Sequence, residues 1–167
     1  RNRHISWYAN AKVDRIEDGT MTVVYTIRDE AVWADGTPIS GADFKFTYDV
    51  IMDPTQAIGK ATYEDIIPES IVVGPKTFEY TLAAPTAFYE LIFGTLIPKH
   101  SAEGSDVVAD WDETMWVSGG PFMFDQWVKG ESITLVRNEN YWKTDPVTDQ
   151  QLPYLNRVTF KFIPDPE

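Results

Sequence analysis

The sequence predicts an α+β domain: a mainly antiparallel sheet built of hairpins, with two or more helices inserted between them. Three observations carry this. Short apolar runs alternate with polar residues at a period of two; turn pairs join them; and two helix-like stretches interrupt the series. With 167 residues, 43% of them hydrophobic and 14% aromatic, the chain can bury a core and is no disordered segment.

The elements follow in order. In "TMTVVYTIR", Met21, Val23, Tyr25 and Ile27 alternate with Thr22, Val24 and Thr26, the mark of a half-buried strand. Asp18-Gly19, after "AKVDRIE", reads as its hairpin turn. Next comes "WADGTPISGADFKFTYDVI", Trp33 to Ile51. Asp35-Gly36-Thr37-Pro38 is turn chemistry, and Ser40 with Asp43 suits a helix start. Phe44, Tyr48 and Ile51 fall on one face of that helix and Phe46 and Val50 on another, so it is expected between two layers. Asp53-Pro54 ends it. A second hairpin, "SIVVGPKTFEYTL", turns at Gly74-Pro75; a second helix is expected over "TAFYELIF", stopped by Gly94. A third hairpin, "FMFDQWVKGESITLVR", turns at Lys129-Gly130, and "RVTFKFI" is a further strand.

Charge and composition exclude several functions. Lys and Arg number 14 against 26 Asp and Glu, a net charge of −12, which disfavours phosphate backbones and anionic lipid as partners. With no Cys there is no disulfide scaffold, thiolate metal site or Cys nucleophile. No apolar run approaches the roughly 18–20 residues of a membrane-spanning helix. The chain opens on "RNRHISWYAN", neither Met-initiated nor apolar, and reads as a piece of something larger. A cation loop at Asp35-Gly36 and Asp43 lacks both oxygen ligands and the right spacing, so no metal is expected. His4 and His100 have no Ser or ligand partner at informative spacing, and no phosphate loop is present.

Certain wording is distinctive. "YTIRDEAVWADGTPISGADFKFTYDVI", "PTAFYELIFGTLIPKH", "SGGPFMFDQWVKGESITLVRNENYW" and "LPYLNRVTFKFIPDPE" occur in an order that resembles the family 5 extracellular solute-binding proteins, over roughly residues 12–166. The chain departs from the family pattern at Gly119 (usually Thr), Phe122 (usually Tyr) and Asn156 (usually Asp). The resemblance implies a non-catalytic receptor of a peptide- or nickel-type ABC importer. Its fold would be part of a two-lobe periplasmic binding protein, with residues 1–167 one domain of the first lobe and the second lobe absent. It further implies a peptide or other small solute as ligand, an ABC permease as partner and a monomer. The protein would be periplasmic or extracellular, with a lipid anchor as an option, and needs no cofactor.

Two stretches are candidates for the ligand cleft. The first is the corner at Tyr89, Phe93, Gly94 and Thr95, in a segment apolar almost all round; burial alone is the competing explanation. The second is Trp116, Ser118, Gly119 and Gly120 in "DWDETMWVSGGPF", where a Trp face and bare backbone could meet a ligand. Here the competing explanation is a core-plugging Trp116 beside solvated carboxylates. Trp111 and Trp116 around Asp110, Asp112 and Glu113 also leave open a carbohydrate-active enzyme or carbohydrate-binding module. "KTDPVTDQQLPYLN" resembles an insertion of members that take larger peptides or sugars.

Overall fold

The structure, a computed structural model, describes residues 8–56, 58–107, 109–110 and 117–163. Its strands are β1 (Ala9–Glu17), β2 (Thr20–Ile27), β3 (Ile66–Val73), β4 (Thr77–Leu82), β5 (Phe122–Val128), β6 (Ser132–Arg137) and β7 (Arg157–Lys161). The helices are α1 (Gly41–Met52) and the single turn α2 (Lys99–Ala102). The chain packs as two compact units. One takes the chain up to Ala31 and again from Pro38; the other takes Val32–Thr37 and the chain from Val117 onward.

In the first unit the sheet order is β1-β2-β4-β3, antiparallel throughout. The β1–β2 turn is Asp18-Gly19, with φ of 50° and 79°, the doubly positive geometry that suits the twist of a two-residue hairpin. Register sets Val23 opposite Tyr80 and Tyr25 opposite Phe78, so the alternating residues of both strands share the buried face. α1 lies on that face through Phe44, whose ring stacks on Phe78 at 5.2 Å. On its other side Phe46 and Val50 pack against Ile97, Ala102 and Val107, so the helix does sit between two layers.

The start of α1 is fixed by backbone approach. Gly41 N–H donates to Gly74 O at 3.1 Å, and a Cβ on Gly41 would lie 2.4 Å from Thr77 O and 2.6 Å from Gly74 O. Only glycine lets the helix meet the β3–β4 turn this closely. Asp43, 4% exposed, then accepts the Ser40 N–H at 2.9 Å and the Ser40 hydroxyl at 3.3 Å through one oxygen. Its other oxygen accepts Lys99 N–H at 3.0 Å. One turn on, Thr47 Oγ1 accepts Ile97 N–H at 2.9 Å. The helix start thus also anchors the "IPKH" segment.

The expected helix over "TAFYELIF" does not form. Only a 3₁₀ turn, Tyr89–Leu91, is present, and Phe93 takes φ +60°. Tertiary bonds, described below, take Tyr89 O and the Phe93 N–H, the two groups that an α-helix here would have joined to each other.

The second unit is an antiparallel sheet of order β5-β6-β7, joined by Arg157 to Asp125 at 3.0 Å. β6 is central and β7 is an edge, of whose residues only Val158 is even half-buried. Between β6 and β7 the "KTDPVTDQQLPYLN" loop folds on itself. Asp145 accepts the N–H groups of Val147 and Thr148 and the Tyr154 hydroxyl, and Gln151 Nε2 donates to Glu139 O and Tyr141 O.

Candidate functional site

The first candidate stretch, Tyr89 to Thr95, belongs to the first unit and is held by tyrosines. Tyr25 on β2 donates its hydroxyl to Ile92 O at 2.6 Å and reaches Tyr89 O at 3.3 Å. Tyr8 donates to Phe93 O, and Tyr63 Oη accepts Phe93 N–H at 3.1 Å. Burial pushes the phenols of Tyr8 and Tyr25 well above the usual tyrosine range, so both remain protonated donors at neutral pH.

These bonds place the side chains of the corner in opposite directions. The ring of Phe93 is fully buried and faces the core. It lies 5.1 Å from the rings of Tyr63 and Phe78 and within 5.9 Å of those of Tyr25, Phe44 and Tyr80. Such packing is what holds a non-glycine residue at positive φ. Gly94 and Thr95 are exposed, and Tyr89 is half-buried with its hydroxyl on Glu90 at 3.2 Å. Phe88 and Leu91, on the same turn, are 69% and 65% exposed. A solvent-facing apolar pair therefore sits on a tightly bonded backbone.

The second stretch belongs to the second unit. Ser118 Oγ accepts Gly120 N–H at 3.0 Å, closing a local turn. Ser118 O accepts Ala34 N–H at 2.8 Å, from the Val32–Thr37 segment. Asn138, 1% exposed, donates its side-chain amide to Gly120 O at 2.8 Å and its backbone N–H to Pro121 O at 3.0 Å. Its Oδ1 accepts Asn140 N–H at 2.9 Å, and Asn140 Nδ2 donates to Ala34 O at 2.7 Å. Gly119 is buried. Trp116, with Trp111, Asp112 and Glu113, lies outside the described residues, as does His4.

Among the described residues no group of three or more His, Asp or Glu is placed to hold a metal ion. None of the described helices is long and apolar enough to cross a membrane. Sequence reasoning missed the clamping tyrosines and the two asparagines. Tyr25 was visible as a core strand residue, but its bond partner lies across |i−j| = 67. The Asn138 and Asn140 pair stood in the quoted "NENYW", with nothing local to show that it grips Gly120.

The fold is one found in bacterial extracytoplasmic solute-binding proteins. The solved oligopeptide-binding protein AppA from Bacillus subtilis, in complex with a nonapeptide, matches with TM-score 0.72 at 27% identity over 92% of this chain and 30% of its own. A periplasmic EDTA-binding protein, EppA, gives TM-score 0.76 at 27% identity over 93% of this chain and 30% of its own. Among curated sequences, the oligopeptide-binding protein OppA of Bacillus subtilis (strain 168) is 27% identical over 159 residues. That alignment covers 82% of this chain and 28% of OppA, so the chain spans well under half the length of its relatives. The model of bacterial extracellular solute-binding proteins, family 5 Middle, matches residues 6–167, and the chain belongs to that family. The resemblance read from the four sequence segments is borne out.

Proposed function

We propose that the full-length protein is the substrate-binding component of an ABC importer. It captures peptides or related small solutes outside the cytoplasmic membrane and delivers them to the permease. The observation that carries this reading is the family match across residues 6–167, together with likeness to a receptor solved with a nonapeptide. EppA, named for EDTA, marks related chelates as a second ligand class within the same role. The protein acts by binding alone, as a monomer, with no reaction step and no cofactor. The carbohydrate-active alternative is not favoured, since the matches named above are solute-binding proteins.

In this reading both units belong to the first lobe. Support comes from the relatives' greater length and from the outer strand among the described residues, β7 and the chain just after it, where Phe160 is 55%, Phe162 48% and Ile163 88% exposed. An open strand edge with apolar side chains is ordinarily covered by further chain. Candidate ligand contacts are the exposed Tyr89–Thr95 corner, excluding the Phe93 ring, and the Trp116–Gly120 loop. One lobe supplies one wall of a pocket, and closure of the second lobe favours the bound state by differential affinity.

Calorimetry tests this, with a randomised synthetic pentapeptide pool titrated into the full-length protein and into residues 1–167. Binding by the full-length protein at least about a hundredfold tighter than by the fragment is expected, a loss of about 2.7 kcal/mol of contact. Equal affinities would overturn the lobe assignment. No binding to the full-length protein would overturn the peptide reading.

A further inference from the structure

Asn138 and Asn140 sit outside both stretches proposed to touch ligand, yet they close a circuit around one of them. Asn138 Nδ2 donates to Gly120 O, Gly120 N–H donates to Ser118 Oγ, and Ala34 N–H donates to Ser118 O. The circuit returns through Asn140 Nδ2 to Ala34 O and Asn140 N–H to Asn138 Oδ1. Every polar group of Asn138 is engaged, since its carbonyl also accepts Tyr141 N–H at 3.1 Å. The amide orientation is fixed by chemistry: a backbone carbonyl faces Nδ2 and a backbone N–H faces Oδ1.

We infer that Asn138 is the positioning residue of the Ser118–Gly120 ligand loop, and that Asn140 locks the same loop through Ala34. This rests on the reading of that loop as a ligand contact. A loop bonded to itself only by the Ser118 turn would sample other conformations, and each would have to be excluded on binding. Asn138 removes that freedom by gripping two successive carbonyls, Gly120 O and Pro121 O, from the buried end of β6. The Gly120 carbonyl is thereby committed to Asn138, and in that reading the loop's remaining groups are the ones left for a ligand. An aliphatic residue of similar size would fill the space at position 138 but could not aim the loop. Aspartate is the informative replacement. Ionised, it keeps the acceptor toward Asn140 N–H but sets an oxygen against Gly120 O; protonated, it regains the donor.

The test uses the full-length protein and a fluorescein-labelled pentapeptide chosen from the randomised pool. Asn138→Asp should bind at least about tenfold more weakly than wild type near pH 8, and recover most of the difference near pH 5 as the buried carboxyl takes up a proton. Affinity is read with stoichiometry, because loss of folded protein lowers the number of sites and leaves the dissociation constant unchanged. A ratio of variant to wild-type affinity that does not change with pH overturns the inference. Should Asn138→Asp fail to fold, the exposed Asn140→Ala decides: a several-fold rise in dissociation constant is expected, and wild-type affinity overturns the proposal. Gly119→Val separates the two levels. If it abolishes binding while Asn138→Asp and Asn140→Ala behave as wild type, the positioning role alone falls. If Gly119→Val has no effect, the loop is not a ligand contact and the underlying reading falls with it.

Discussion

Replacing Tyr25 by Phe removes one oxygen from the middle of the first unit and nothing else. The ring keeps its packing on Phe44 at 5.1 Å and Phe93 at 5.9 Å, so no cavity term enters. What is lost is the donor to Ile92 O at 2.6 Å, its weaker reach to Tyr89 O at 3.3 Å and the phenol's interaction with the Tyr80 hydroxyl. Ile92 is itself buried, and its stranded carbonyl forfeits solvation as well as the bond. The cost is therefore set by an unsatisfied buried acceptor, about 1–3 kcal/mol, rather than by an average hydrogen bond. Urea unfolding of the chain followed by circular dichroism measures it, and amide exchange at Leu91, Phe93 and Gly94 localises it. Exchange at those positions should speed up more than at β2 or β4, because the 3₁₀ turn loses one of the side-chain ties that hold it. A change in unfolding free energy below about 0.3 kcal/mol, with unaltered exchange at the corner, would refute the view that phenols hold this turn.

Three further outcomes follow from the same geometry. Asp43→Ala should destabilise the chain by about 2–4 kcal/mol, since it removes the helix start's acceptor and strands Lys99 N–H; calcium should not shift the melting temperature of either form, and a shift that Asp43→Ala abolished would restore a cation site. Gly41→Ala should cost more than the ordinary helix gain from alanine returns, because its Cβ meets two backbone oxygens; scanning calorimetry showing a stabilised protein would contradict the close approach. Stability should fall above about pH 10: Tyr8, Tyr25 and Tyr80 have folded pKa values raised above the unfolded one, so the unfolded chain loses protons first, each tyrosine adding up to about 1.4 kcal/mol per pH unit. A flat alkaline limb in urea titrations would contradict this.

What was legible in the sequence was whatever a local pattern enforces. Alternation in β2 and β4 requires one buried face, and Asp18-Gly19 and Lys129-Gly130 require hairpins, so strands and turns lie where they were expected. α1 was equally plain, with Phe44 and the Phe46–Val50 pair turned to different layers. "TAFYELIF" failed for a physical reason: its apolar run fits a helix, but hydroxyls distant in sequence take the two groups its last turn would join, Tyr25 donating to Tyr89 O and Tyr63 accepting Phe93 N–H. The direction of the Phe93 ring was not legible either, because it is positive φ that turns the ring to the core and leaves Phe88 and Leu91 outside. Gly41 gave no sign of its role, since close approach to Thr77 and Gly74 exists only once the hairpin is folded.

Both candidate stretches share a way of being held. The Tyr89–Phe93 backbone is tied by phenols reaching from the core, and the Ser118–Gly120 backbone by the Asn138 carboxamide reaching from the end of β6. Neither stretch lies in a sheet ladder or an α-helix, where the backbone groups would be consumed in a repeating pattern and the side-chain directions fixed by it. Side-chain ties satisfy selected groups and leave the others available. They also make the conformation as rigid as the element that sends the side chain, and β2 and β6 are each paired on both edges. The same logic governs Lys76, whose ammonium donates to Arg28 O and Ile39 O at 3.1 Å each and to Asp29 O at 3.3 Å. A loop ordered before a binding partner arrives binds more tightly than one that must be ordered on binding, because that ordering subtracts from affinity.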